Sequence, residues 1–313
     1  MTEQNPHPVL VAVGTDGMDA ALAYAAAEAT RLGCGLHLIH VVHVLAQSPE
    51  MVVADVTEYE RVGRQSLDAA LRAARDLVGD DTTLTGELVS GGVVHEIVRA
   101  AGDARLVVLQ HRDLSRLRRV VTRSVASGVA ARARVPVVSV PESWSADRER
   151  ATDPTVTVGV DVADRAGEVL SIAIDAARAR GAVLCVLHTW SFPSAYDDII
   201  MARVDRDSWA PRATAEVQAA LDGLGDVVTG VQVRIEAEHR NPADALVEAS
   251  RSSHLVVIGR HDPLTPLGSH LGPVARAVLA GAECPVLLAN PRPGHRRIEH
   301  HRPGGSRPGQ DAR

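Results

Sequence analysis

The chain contains no lysine: all 33 of its basic residues are arginine. That absence removes the G-x-x-x-x-G-K-[ST] phosphate loop, Schiff-base catalysis, a kinase-type strand lysine and serine–lysine nucleophile pairs. Aromatic residues are scarce at 2%, so few rings are available to stack on bases. Nor is there a basic excess. The 39 acidic residues leave a formal net charge of −6, the wrong sign for a phosphate-backbone footprint, and nucleic acid is disfavoured as a partner. The three cysteines, Cys34, Cys185 and Cys284, lie far apart in apolar segments. They read as buried reduced thiols, not as disulfides or a metal cluster, which fits a cytoplasmic setting. No uncharged run of about 18 apolar residues follows the N-terminal MTEQNPHP, itself neither basic nor apolar, so neither secretion nor a membrane partner is expected.

What the chain does have is ordinary globular composition and an internal repeat. Its 313 residues are 45% apolar and 23% charged, enough for two domains of about 150 residues each. Four blocks recur in the same order, about one domain length apart. VLVAVG (9–14) matches TVTVGVD (155–161), and LHLIHVV (36–42) matches LCVLHTW (184–190). ARLVVLQHR (104–112) matches SHLVVIGRH (253–261), and ARVPVVSVP (133–141) matches AECPVLLANP (282–291). A domain-sized period of this kind is a duplication rather than a solenoid.

The matched blocks are short β-branched runs suited to strands buried on both faces of a parallel sheet. Alanine-rich segments between them carry helical spacing at 19–31, 56–78, 93–101 and 124–134, and again at 167–180, 212–224, 242–252 and 273–282. A weaker strand fits at 83–90 and at 230–238. The expectation is two tandem doubly wound α/β domains over 1–145 and 146–291, each a five-stranded parallel sheet flanked by helices. A polar, proline-bounded linker runs over 142–154, and the basic segment 292–313 reads as a disordered tail. Less regular stretches at 46–56 and 191–211 follow the second strand of each unit, either as a lid or as a partner surface.

In open sheets of this kind ligands sit beyond the carboxyl ends of the strands, near the switch in strand order. Asp161, directly after the opening strand of the second half, can accept a hydrogen bond from an adenine amine or a ribose hydroxyl; it can equally cap the following helix. In the first half Gly14 holds the aligned position, and Asp16 or Asp19 would have to substitute. The loop GRHDPLTPLGSHLGPVARAVL (259–279) has glycines that admit close approach of a phosphate, ahead of a helix start at Gly272–Pro273. That pair also makes a sound helix start with no ligand, proline suiting the first helical position. The loop's length, about a dozen residues, is the part local structure leaves unexplained.

A tandem of such units, with V-G-V-D after the opening strand and a G-x2-G-x9-G-[ST] type of loop before the last helix, resembles the universal stress protein family. The second half carries most of the resemblance, through VGVD (158–161), LHTW (187–190), LVVIGR (255–260), LGSHLGPV (267–274) and CPVLL (284–288). The resemblance implies a HUP-like fold and a cytoplasmic stress-response protein that binds ATP without being an enzyme. It also implies an internal pseudo-dimer joined through the last strands at 135–140 and 284–289, with a homodimer of the whole chain as a further state.

Carried over residue by residue, the nucleotide site falls on Asp161, Gly259, Arg260, His261, Gly268, Ser269 and Gly272. Asp262 replaces the middle glycine of the loop and Pro273 its hydroxyl; Ser269, Arg260 and His261 are the polar groups that can compensate. In the first half Gln110, Asp113 and Arg123 stand at the three glycine positions, and only Ser124 keeps its type. The arginine-rich stretch around them can hold an anion or form a solvated, ion-paired face. The leading reading is an adenine-nucleotide sensor acting on a protein partner. A scaffold that binds no nucleotide is its alternative, and ATP hydrolysis lacks a positioned general base.

The other motifs read as structure. His37, His40 and His43 lie on a strand, where alternation turns His40 away from the other two, so no metal site is expected. His40 aligns with His188, a structural position in both halves. No G-x-S-x-G elbow and no G-x-G-x-x-G fingerprint occurs. Trp190, Phe192, Tyr196 and Trp209 gather near the irregular stretch of the second half, on a lid or on the sheet edge.

Overall fold

The computed structural model describes residues 5–15, 17–43, 52–111, 125–147, 153–190, 206–260 and 271–289. The first unit contributes β1 (Asn5–Val13), α1 (Asp19–Leu32), β2 (Cys34–Val42), α2 (Val52–Leu77), β3 (Leu84–Ser90), α3 (Val93–Ala100), β4 (Leu106–His111), α4 (Val125–Ala130) and β5 (Val137–Pro141). The second repeats the pattern as β6 (Thr155–Val160), α5 (Gly167–Arg180), β7 (Val183–Trp190), α6 (Arg206–Asp222), β8 (Val233–His239), α7 (Pro242–Ala249), β9 (Leu255–Gly259), α8 (Pro273–Gly281) and β10 (Val286–Ala289). Each unit is a parallel five-stranded sheet. The two merge into one ten-stranded sheet, ordered β3-β2-β1-β4-β5-β10-β9-β6-β7-β8, through an antiparallel β5–β10 pair in which Val286 faces Ser139 and Leu288 faces Val137. The expected junction of last strands is thus present.

The alternation of β-branched residues explains why the sheet is buried on both faces. Val9, Val11 and Val13 join a core under α1, α2, α5 and α6, whereas Leu10 joins a second core under α3, α4, α7 and α8. Each core runs through both units, so the pair shares its packing. Local signals set the helix ends. Gly33 and Gly181 close α1 and α5 in the left-handed conformation, both at φ 60°, which glycine adopts without steric cost. Asn241 caps α7 by accepting from Ala243 N–H at 2.9 Å and Asp244 N–H at 3.3 Å, with Pro242 at the first helical position.

Two helices correct the expectation. Residues 52–56, read as irregular, already belong to α2, and α6 starts at Arg206 and runs through Pro211 instead of starting at 212. The proline removes one backbone donor, and the Thr214 hydroxyl donates to the Ala210 carbonyl at 2.9 Å within that stretch. The rest of both irregular stretches, 46–51 and 191–205, lies outside the described residues, as do the linker centre 148–152 and the segment 290–313. No helix among the described residues is long and apolar enough to cross a membrane.

Beneath the sheet junction the units share a buried polar contact. Arg180 of α5 donates to the Glu28 carboxylate and, at 3.1 Å, to the Tyr24 hydroxyl of α1; the Arg180 and Glu28 side chains are 6% and 9% exposed. Trp144 meets the Tyr24 ring edge-on at 5.5 Å.

Candidate functional site

In each unit the switch in strand order opens between the first and fourth strands, β1 and β4 or β6 and β9. The second unit brings Asp161 and Gly259 together there. β6 pairs with β9 in parallel, Gly159 beside Ile258, so Asp161 and Gly259 leave the same sheet edge on neighbouring strands. Asp161 is exposed and stands five residues before Ala166, the N-cap of α5, which removes the helix-capping reading of that carboxylate. Gly272 is the N-cap of α8 in extended conformation, with Pro273 at the first helical position. Having no side chain, it leaves the amides of the first turn uncapped, the arrangement that favours an anion. Buried Leu271 anchors the returning chain just before it. His261, Gly268 and Ser269 lie outside the described residues, and so does Asp262.

Among the described residues, a Cβ at Gly259 would meet only the Val169 side chain of α5, at 4.0 Å. The first unit fills the corresponding space with protein. Gln110, aligned with Gly259, accepts from Ala21 N–H at 3.2 Å through Oε1 and donates to the Gly17 carbonyl at 2.8 Å through Nε2. Ala21 occupies the place in α1 that Val169 occupies in α5, both two residues after the helix start. The first unit therefore ties its fourth strand to its α1 loop with a side chain, and among the described residues the second has no such tie.

Arg260 departs from the role expected of it. It turns to the first unit, donating to the Ala133 carbonyl and, at 2.9 Å, to the Val135 carbonyl. These carbonyls follow α4, where the chain has turned out of the helix and lacks intrahelical partners. Burial lowers the guanidinium pKa to about 10, so it remains cationic at neutral pH. Its charge is spent on the junction between units and not on the sheet edge beside Asp161.

The histidines go to separate structural partners. His40 bonds the Val13 carbonyl at 2.9 Å and His188 the Val160 carbonyl at 2.9 Å, pinning the second strand to the first in both units. His37 pairs with the Thr85 hydroxyl at 2.8 Å, and His43 with the Gly91 carbonyl at 3.3 Å. Trp190 lies beside His188 and His239, with ring centroids at 5.9 and 6.2 Å. In the first unit Asp19 is an exposed residue in the opening turn of α1, where a carboxylate complements the helix dipole. Asp16 and the arginine-rich stretch 112–124, with Asp113, Arg123 and Ser124, lie outside the described residues.

With this geometry in view, residues 6–141 and 154–290 each match the universal stress protein family. The chain belongs to that family. It is 32% identical over 292 residues to the universal stress protein Rv2005c of Mycobacterium tuberculosis, covering 89% of this chain and 96% of the relative. It is 27% identical over 308 residues to Rv1996 of the same organism, covering 89% and 94%. Among solved structures, a universal stress protein from Archaeoglobus fulgidus superposes with a TM-score of 0.67 at 16% identity, over 91% of this chain and 98% of that one, a likeness of fold.

Sequence reasoning missed one feature of this universal stress protein: a cleft of about 420 Å³ at the carboxyl edge of the first unit, between β1, β2 and β4 and helices α2, α3 and α4. Its only signal was Gly63 inside the long α2. A Cβ there would come within 2.9 Å of His40 Cδ2 and of Val42 Cγ2, so the glycine lets α2 approach β2 closely.

Proposed function

We propose that this universal stress protein is a non-enzymatic, cytoplasmic adenine-nucleotide sensor whose second unit holds ATP. Asp161 faces the adenine or ribose, and Gly259, Gly268, Ser269, His261 and Gly272 belong to the phosphate side. Arg260 serves as the root of that loop, not as a ligand. The observation that carries the reading is the space left beside Val169 at Gly259 among the described residues, set against the Gln110 amide that stands at the corresponding point of the first unit. A phosphate takes such a gap when backbone amides and a helix N-terminus border it, as at Gly272. Occupancy is read by a protein partner at the loop between Gly259 and Gly272.

Isothermal titration of ATP into the intact protein and into Asp161→Ala tests this. Saturable binding by the parent that is lost in the variant is the expected result. A second reading, a scaffold that binds no nucleotide, is favoured by the commitment of Arg260 to the first unit, which leaves Pro273 and Asp262 without that cation. No heat with either protein would select it.

A further inference from the structure

We propose that the cleft of the first unit is a separate binding site for an uncharged, largely apolar small molecule, distinct in chemistry from the nucleotide site of the second unit. Its volume of about 420 Å³ falls in the range of small-molecule pockets, about 300–1,000 Å³. The walls are Met18, Ile39, Leu109, Ile97 and the α2 face around Val62. No aspartate, glutamate or arginine among the described residues lines it. Gly14 stands where the second unit has Asp161, so no carboxylate occupies that position at the end of the opening strand.

The amide and imidazole side chains that line the cleft are engaged by protein. Both ends of the Gln110 amide are taken, by Ala21 N–H and by the Gly17 carbonyl. His40 bonds Val13, and His43 bonds Gly91. A phosphate meets no cation on the described walls, whereas an apolar ligand leaves these bonds intact and loses no hydrogen bond of its own. Hydroxyls occur at the exposed rim, on Thr15 and Tyr59, suiting one polar group at the wet end of the ligand.

A second observation points the same way. Three of the six exposed large apolar side chains among the described residues, Tyr59 at 57%, Val62 at 36% and Val125 at 40%, belong to this one cleft. Scattered apolar side chains need no explanation; a cluster of them around a concave opening marks a binding surface. The remaining three, Leu77, Val162 and Val227, lie elsewhere.

The test uses the intact protein and N-phenyl-1-naphthylamine, a neutral dye that fluoresces when removed from water. Saturable binding of one dye per chain is expected, unchanged in Asp161→Ala and in excess ATP. Gly14→Phe puts a ring into the cleft, since among the described residues a Cβ at Gly14 meets only Met18 Sδ, at 3.9 Å. Val62→Asp places a charge in the half-exposed α2 wall. Each variant should weaken the dye about tenfold or more, the effect of losing some 1.4 kcal/mol of binding, with circular dichroism and melting unchanged. If one variant fails to fold, the other decides. Absence of saturable binding by the parent, or parent-like binding by a folded variant, overturns the proposal. Displacement of the dye by ATP also overturns it, by making this cleft a nucleotide site. Loss or absence of dye binding leaves the ATP titration of Asp161→Ala unchanged, and displacement by ATP would show there as binding that survives the substitution, so the two readings fail separately.

Discussion

Replacing Arg260 with methionine separates a structural arginine from a ligand-binding one. Its guanidinium donates two hydrogen bonds to carbonyls of the first unit. A bond to a charged donor contributes about 1.5–3 kcal/mol, and a buried carbonyl left without a partner costs about 1–3 kcal/mol. Methionine returns part of this by burying its thioether chain, about 1.5–3 kcal/mol at most, and it ends the desolvation of a cation. A net loss of about 2–4 kcal/mol is expected, which in a chain of this size lowers the thermal midpoint by about 3–6 °C. Arg260→Lys should fall between, because a single ammonium cannot span two carbonyls in the fork geometry of a guanidinium. Differential scanning calorimetry and urea unfolding read the stability, and the ATP titration is repeated on the same samples. Affinity for ATP should stay within about twofold of the parent, a change under about 0.5 kcal/mol. A variant that melts like the parent but binds ATP much more weakly would refute the assignment and return Arg260 to the phosphates.

Breaking the buried contact between α1 and α5 from one side, with Arg180→Leu or Glu28→Leu, should cost about 3–5 kcal/mol in urea unfolding, whereas the double replacement should recover most of that loss; equal losses in single and double variants would show that the pair is not the coupled unit. Burial lowers the His40 pKa below its ordinary value of 6.5, against an opposing contribution from the Val13 carbonyl. The unfolded chain therefore takes up this proton first as pH falls, so the contribution of neutral His40 is complete above pH 6.5 and is lost progressively on going from there toward the lower folded pKa. His40→Gln should flatten the stability–pH curve just below about pH 6.5, and an unchanged slope there would remove His40 as the source.

The sequence revealed most where a local rule decides the structure. The span of α5 was readable to both ends because an alanine-rich amphipathic run closes on Gly181, the residue that adopts the left-handed cap. The two outer strands, β3 and β8, looked weaker because they are: their side chains are only partly buried, as expected at the edges of a ten-stranded sheet. The start of α2 escaped because residues 46–56 carry no clear capping pattern, and that of α6 because Pro211 reads as a helix boundary. Asp161 and Gly259 could be placed at one sheet edge from strand ends alone. The roles of Gln110 and Arg260 could not, because each is defined by partners remote in the chain, Gly17 and Ala21 for the one and Ala133 and Val135 for the other. Residue type indicates what a side chain can donate; only the fold indicates to whom.

The exchange of glycine for glutamine at the end of the fourth strand gives the two units different physical tasks without a change of fold. In the first, one amide satisfies a helix-start N–H and a loop carbonyl and so ties the end of the fourth strand to α1. In the second, no side chain of the described residues makes that tie, and the next residue, Arg260, reaches into the first unit. The far end of the same loop leads into α8, which packs against α4 in the core common to both units. Both roots of the proposed nucleotide loop are therefore held by the first unit. A ligand can shift the neighbouring unit only through contacts that differ between its bound and free states. Arg260, α8 and the β5–β10 pair are where such a difference has to appear, and a nucleotide that left all three unchanged would bind without signalling across the sheet.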